Sequence, residues 1–129
     1  MNMDWDDKKA FRWKRFKHSF RFALNGLKIA AKEPNFRFHM AAASVVTAAG
    51  FILSLSRIEW LFILIMIFGV MVFEVINTAV EKTVDLVTKE YHPLAKEAKD
   101  LAAGAVLLFS FLSILIGAII FLPKIWRLF

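Results

Sequence analysis

Three apolar runs, residues 38–55, 60–76 and 102–122, limit what this chain of 129 residues can become. Each approaches the roughly 20 residues that an α-helix needs to cross the hydrocarbon of a bilayer. A soluble core of this size does not require three separate runs of such purity. With 59% hydrophobic residues and a mean hydropathy of +0.58, the class expected is an all-α integral membrane protein. The first run does not read as a cleavable signal peptide, because it starts far from the N-terminus and follows a long charged, amphipathic region. The chain has no cysteine, which excludes disulfides and thiolate metal sites.

Charge sets the expected orientation. Of the 17 Lys and Arg residues, ten precede Phe38, one lies in the turn at 56–59, four lie between 80 and 101, and two follow Leu122. With the N-terminus in the cytoplasm, fourteen are inside and three outside, as the positive-inside rule requires. Trp60 and Trp126 then fall near the outer interface, where indoles are favoured. No nucleic-acid partner is expected.

Residues 1–7 are short, acidic and expected to fray. From about 9 to 32 the pattern is helical. Trp13, Phe16, Phe20, Ala23, Leu24, Leu27, Ala30 and Ala31 gather on one face, and Lys14, Lys17, Arg21, Asn25, Lys28 and Lys32 on the other. A basic, Phe-rich amphipathic helix suits the surface of an anionic membrane. Phe11, Arg15, Phe22 and Ile29 form a third line, either a wider apolar face with one snorkelling arginine or a surface for a partner or ligand. The Glu33-Pro34 step breaks this helix. Membrane helices are expected at about 38–55, 60–80 and 98–122, the first two forming a hairpin through the turn at 56–59. Residues 88–93 make a second turn. No internal repeat or low-complexity linker is present, so the chain reads as one domain.

The second apolar run ends unusually. Residues 61–73 carry no polar side chain, yet Glu74, Asn77, Thr78, Glu81 and Asp85 follow within about a third of the helix circumference. Ionisable groups at membrane depth cost a few kcal/mol each and are functional candidates by default. Bland readings exist for some of them. Glu81 with Lys82, and Asp85 with Lys89, can be solvated surface pairs, and Asn77 can simply join helices. Glu74 resists such a reading, because its own helix offers no cation within one turn. His18 and His39 are expected to be ordinary interfacial histidines, since neither has a second ligand at metal spacing.

Carboxylates and an amide at this spacing offer hard oxygen ligands for Mg²⁺, which binds few carboxylates and completes its shell with water and phosphate oxygens. They also offer a carboxylate in low dielectric, a setting suited to general-base work. Lys99 supplies a positive charge for polyphosphate, and Glu33 returns another carboxylate to the same face. Metal, phosphate and base at a membrane surface fit phosphoryl transfer to a lipid hydroxyl. No glycine-rich P-loop and no kinase Gly-rich loop is present. The residues by themselves reach a metal-assisted site at a lipid interface and go no further.

The stretch Glu74-Val75-Ile76-Asn77-Thr78-Ala79-Val80-Glu81-Lys82-Thr83-Val84-Asp85 resembles, at every position, the E-x-x-N-[ST]-A-[IV]-E-x-x-[VI]-D motif of the small bacterial integral-membrane diacylglycerol kinase and undecaprenol kinase family. Glu90-Tyr91-His92 and the segment from Ala98 to Val106 resemble the stretches that follow that motif. The resemblance implies a homotrimer of three-helix protomers, each with a surface helix, in the bacterial cytoplasmic membrane with its site on the cytoplasmic side. It also implies Mg²⁺ and ATP. Glu74 would be the general base and Asn77 would orient it or a phosphate oxygen. Glu33 and Glu81 would hold Mg²⁺. Lys99 and Asp100 would meet phosphate and nucleotide, with Glu90, Tyr91 and His92 near the adenosine. Arg15 and Phe22 sit where the family places nucleotide contacts, although some members have Tyr where this chain has Phe22. A trimer has its own physical appeal: one protomer is not expected to shield the polar stripe from lipid, and Ala98, Ala102 and Ala105 invite close packing.

The function expected is therefore an ATP-dependent lipid kinase. Undecaprenol is the expected acceptor, from the look of residues 15–26 and 33–39, and diacylglycerol is the alternative. A more distant alternative is a non-catalytic membrane adaptor or channel with a cytoplasmic acidic ring.

Overall fold

The structure is a computed structural model that describes residues 5–129. These residues are all helix and turn, in the order α1 (Trp5–Ala30), α2 (Pro34–Ile52), α3 (Arg57–Val87) and α4 (Pro93–Trp126). α1 is already helical at Trp5, so part of the stretch expected to fray is ordered, while residues 1–4 lie outside the described residues. α3 is the hub, touching α1, α2 and, most extensively, α4.

α1 stands largely apart. From Lys8 to Ile29 every residue is exposed, and only Ala30 is buried. Its aromatic face, including Trp13, Phe16 and Phe20, is left for surroundings outside the protomer. The helix closes through Lys32 N–H to Ile29 O at 3.1 Å and Glu33 N–H to Ala30 O at 2.9 Å.

Proline then acts differently from expectation. Glu33 is extended (φ −74°, ψ 133°), as a residue before proline must be, and Pro34 is the first residue of the next helix. So α2 starts four residues before the expected boundary and ends three residues before it. It is also less apolar than expected. Two helices, α3 and α4, are long and apolar enough to cross a membrane. α2 begins with Asn35, Arg37 and His39 and continues in alanine rather than leucine.

The α2–α3 turn is tightly specified. Ser54 takes a left-handed conformation (φ 50°), and Leu55 N–H returns to Gly50 O at 3.1 Å. Ser56 and Glu59 then form a capping box. Ser56 Oγ accepts from Glu59 N–H at 3.3 Å, and Glu59 Oε2 accepts from Ser56 N–H at 2.7 Å. Glu59 Oε2 also meets Lys124 Nζ at 3.2 Å, which ties the end of α4 to this turn. Beneath it, Leu55, Ile63 and Ile120 form the apolar core. Trp60 is half-buried against Phe51 and Gly50.

The alanine line that invites packing between subunits is only partly covered within one chain. Ala98 and Ala102 are half-buried, but Ala105 is exposed, and a Cβ added at Gly104 or Gly117 would meet nothing. The close approach of α3 and α4 is at Gly69, where an added Cβ would collide with the Phe109 ring. Phe109 also packs on Phe73, with ring centroids 5.2 Å apart. Gly69→Ala should therefore destabilise the fold by about 1–3 kcal/mol, the range for overpacking. Thermal unfolding in detergent measures this, and Phe109→Leu in the same chain should recover most of the loss. A Gly69→Ala protein that melts like the parent would mean that the two helices are not held this closely.

Candidate active site

The polar stripe of α3 turns inward. Glu74, Asn77 and Thr78 are 3%, 5% and 8% exposed, Glu81 is half-buried, and Asp85 is out in the open. The expectation that one protomer cannot shield this stripe is corrected for its membrane-side half. α2 and α4 flank α3 closely enough to cover it, while the half towards Asp85 stays accessible.

The partner of Glu74 is a residue that the sequence reading set aside. His39 Nε2 stands 3.2 Å from Glu74 Oε1, and its side chain is about four-fifths buried. Helical spacing held the signal. Phe36, His39, Ala43, Val46 and Gly50 follow i, i+3, i+7, i+10, i+14 spacing, and all five are buried or half-buried. His39 thus lies on the inward face of α2, facing α3.

Other pairs expected along the chain are re-sorted by the tertiary fold. Lys82 does not serve Glu81. Its Nζ donates to Glu33 Oε1 at 3.2 Å and so joins the α1–α2 junction to α3. Asp85 accepts from Lys99 Nζ of α4 at 2.6 Å rather than from Lys89. Lys96 pairs with Asp100 one turn along α4. Glu81 Oε1 accepts from Asn77 Nδ2 at 3.2 Å, which fixes the amide and leaves Asn77 Oδ1 buried without a partner among the described residues.

Asn77 is among the residues around a small cavity of about 240 Å³, bounded also by Asn35, Phe38, His39, Glu74 and Ser110 among others. Ser110 Oγ is likewise buried and unpartnered. Phe38, His39 and Ser110 also border a second cavity of about 370 Å³, which runs between α2 and α4 past Val46, Met66, Val70 and Gly117. Its lining is almost entirely apolar. An apolar slot therefore adjoins a chamber lined by Glu74, Asn77 and Ser110.

The remaining expected site residues lie at the far end of the stripe or away from it. Glu90, Tyr91 and His92 form the α3–α4 turn, where His92 Nδ1 caps α4 by accepting from Leu94 N–H at 3.2 Å. Tyr91, Lys96, Asp100 and Leu101 border an open groove of about 660 Å³. Arg15 and Phe22 are exposed on α1, about 22 Å and 12 Å along the helix axis from Ala30, where α1 is buried. Phe22 stacks edge-on with His18 at 4.7 Å. The protomer therefore assembles Glu33, Glu74, Asn77, Glu81 and Lys99 along α3 and leaves these two apart.

Among the described residues, no three His, Asp or Glu side chains converge as a metal cage. Glu33, paired with Lys82, and Glu81, which accepts from Asn77, are the two carboxylates expected to hold a metal. That donor set fits a hard cation which takes one or two carboxylates and fills its shell with phosphate and water.

Comparison with known proteins agrees with this chemistry. Residues 21–121 match the family model of prokaryotic diacylglycerol kinase. Over 112 residues the chain is 52% identical to undecaprenol kinase of Bacillus subtilis, covering 86% of this chain and 91% of that one. It is 41% identical over 112 residues to a diacylglycerol kinase of Synechocystis sp., covering 85% and 64% respectively. A diacylglycerol kinase of Helicobacter pylori is 37% identical over 101 residues, covering 78% and 79%.

Proposed function

The chain belongs to the prokaryotic diacylglycerol kinase family and is a membrane lipid kinase with ATP as phosphate donor, and from that premise we propose that its acceptor is undecaprenol. The observation that carries this choice is the 52% identity to an undecaprenol kinase over nearly the full length of both chains, against 41% and 37% to diacylglycerol kinases. The apolar slot ending beside Glu74 supports an acceptor with a long hydrocarbon chain.

In this reading α2, α3 and α4 cross the membrane and α1 lies on its cytoplasmic surface, where its lysines and arginines meet anionic headgroups. The active unit is a homotrimer. A second subunit is the natural source of the Arg15 and Phe22 contacts to nucleotide, since within one protomer α1 carries them away from the stripe.

Glu74 accepts the proton of the lipid hydroxyl. The oxygen so freed bonds to the γ-phosphorus, the bond from that phosphorus to the β–γ bridging oxygen breaks, and ADP leaves with the electron pair. Asn77 orients the carboxylate or a phosphate oxygen. Lys99 lies at the phosphate end of the stripe, with Asp100, Glu90, Tyr91 and His92 around the nucleotide. Glu33 and Glu81 would hold Mg²⁺, which when bound neutralises phosphate charge.

The test is a competition. Undecaprenol and 1,2-diacylglycerol are presented at equal mole fraction in one mixed micelle with purified protein and γ-labelled ATP. Label should enter undecaprenyl phosphate about tenfold faster, a difference of about 1.4 kcal/mol in transition-state binding. Equal labelling, or a preference for phosphatidic acid, would overturn the choice of acceptor.

A further inference from the structure

The carboxylate of Glu74 is buried in α3 directly after the apolar stretch 61–73, and among the described residues His39 is the side chain that pairs with it. Each lysine along the stripe is engaged elsewhere: Lys82 with Glu33, Lys99 with Asp85 and Lys96 with Asp100. His39 is the sole titratable side chain between Arg37 and Arg57, and it sits where α2 faces Glu74. Its ring is packed edge-on against Phe38, with centroids 5.5 Å apart. A side chain clamped this way on a second helix fixes a direction for the carboxylate, which packing against methyl groups alone would not.

Geometry on the other side of Glu74 gives that direction a use. Asn77 and Ser110, each with a buried oxygen that has no partner among the described residues, border the same chamber as His39 and Glu74. Buried polar atoms of this kind are normally satisfied. An alcohol hydroxyl can accept from Ser110 Oγ–H while its own proton faces the carboxylate that takes it. A hydrocarbon chain attached to that hydroxyl has the adjoining apolar slot as its path.

We propose that His39 is a positioning residue for the base: it holds one oxygen of the Glu74 carboxylate so that the other meets the lipid hydroxyl in the chamber lined by Asn77 and Ser110. This rests on the reading of Glu74 as general base in a lipid kinase. It adds a residue on α2 that sets the aim of the base, and a serine on α4 that receives the acceptor. Neither contacts nucleotide.

The experiment compares His39→Leu, which keeps bulk and suits a membrane helix, with His39→Gln, whose amide N–H reaches a similar position. Both are measured as full-length protein in mixed micelles beside the parent and Glu74→Gln. His39→Leu should lower kcat by about 100-fold, the loss expected when a reacting group is misplaced by about 1 Å, with KM for Mg-ATP unchanged. His39→Gln should regain most of that loss. Ser110→Ala should raise KM for the lipid alcohol and leave KM for Mg-ATP unchanged. Parent-like turnover in His39→Leu, or equal losses in Leu and Gln, would overturn the assignment of His39, and an unchanged lipid KM in Ser110→Ala would remove the serine from it. Failure of the underlying reading looks different, since then Glu74→Gln itself would turn over at the parent rate.

Discussion

Glu74→Gln should reduce transfer of phosphate to the lipid alcohol by about 10³-fold, within the 10²–10⁴ range for loss of a general base, while ATP binding stays close to that of the parent. The substitution keeps the shape of the side chain and its ability to accept from His39 Nε2–H, now 3.2 Å from Oε1. What it removes is the capacity to hold the hydroxyl proton. The site is 3% exposed, so bulk water is poorly placed to replace the carboxylate. A loss of 10³ corresponds to about 4 kcal/mol of transition-state stabilisation, far more than any change in folding expected from so conservative a replacement. The readout is single-turnover transfer from saturating Mg-ATP, with nucleotide affinity measured separately by fluorescence or calorimetry. Wild-type turnover in this variant would mean that the proton goes elsewhere. Lost turnover together with lost ATP affinity would point to a role in the phosphate site.

Lys99→Met is the second large effect. Glu74 and Asp85 are eleven residues apart on α3, about 16 Å along the axis, and Lys99 reaches the Asp85 end from α4 at 2.6 Å. That distance separates Lys99 from proton removal, and in the proposed reading Lys99 meets the charge of the polyphosphate. Loss of one such cation should lower kcat/KM for ATP by about 10²-fold, near the lower bound for removing one electrostatic stabiliser of a transition state. Folding should hardly change, because a partly exposed pair contributes no more than about 1 kcal/mol. Asp85→Asn gives the control. It frees Lys99 without removing its charge and should cost less than tenfold, which casts Asp85 as the group that parks the lysine. If Lys99→Met kept the parent's ATP kinetics, the Lys99–Asp85 contact would be no more than a surface tie between α3 and α4.

Much of the site was legible because its signal is local. The stripe of Glu74, Asn77, Thr78, Glu81 and Asp85 is a matter of helical period, and its contrast with residues 61–73 is a matter of composition. The extended E-x-x-N-T-A-V-E pattern needed no coordinates to name the family. Pairings were another matter. Asp85 with Lys89 and Glu81 with Lys82 are sensible on a single helix, but α4 and the α1–α2 junction bring Lys99 and Glu33 nearer. His39 escaped notice because one polar residue in an alanine-rich run looks interfacial until its neighbours at helical spacing are seen to be buried as well.

The amino-acid order alone determined that this chain is helical, membrane-bound and armed with carboxylates on one helix face, because helix periodicity, hydrocarbon thickness and charge cost act over a turn or two of backbone. Only the packing of α2 and α4 on α3 decided that Glu74 faces a chamber, which histidine pairs with it, and that α3 and α4 approach closely at Gly69. Those outcomes depend on which side chains from distant segments arrive together, and that is a property of three helices at once.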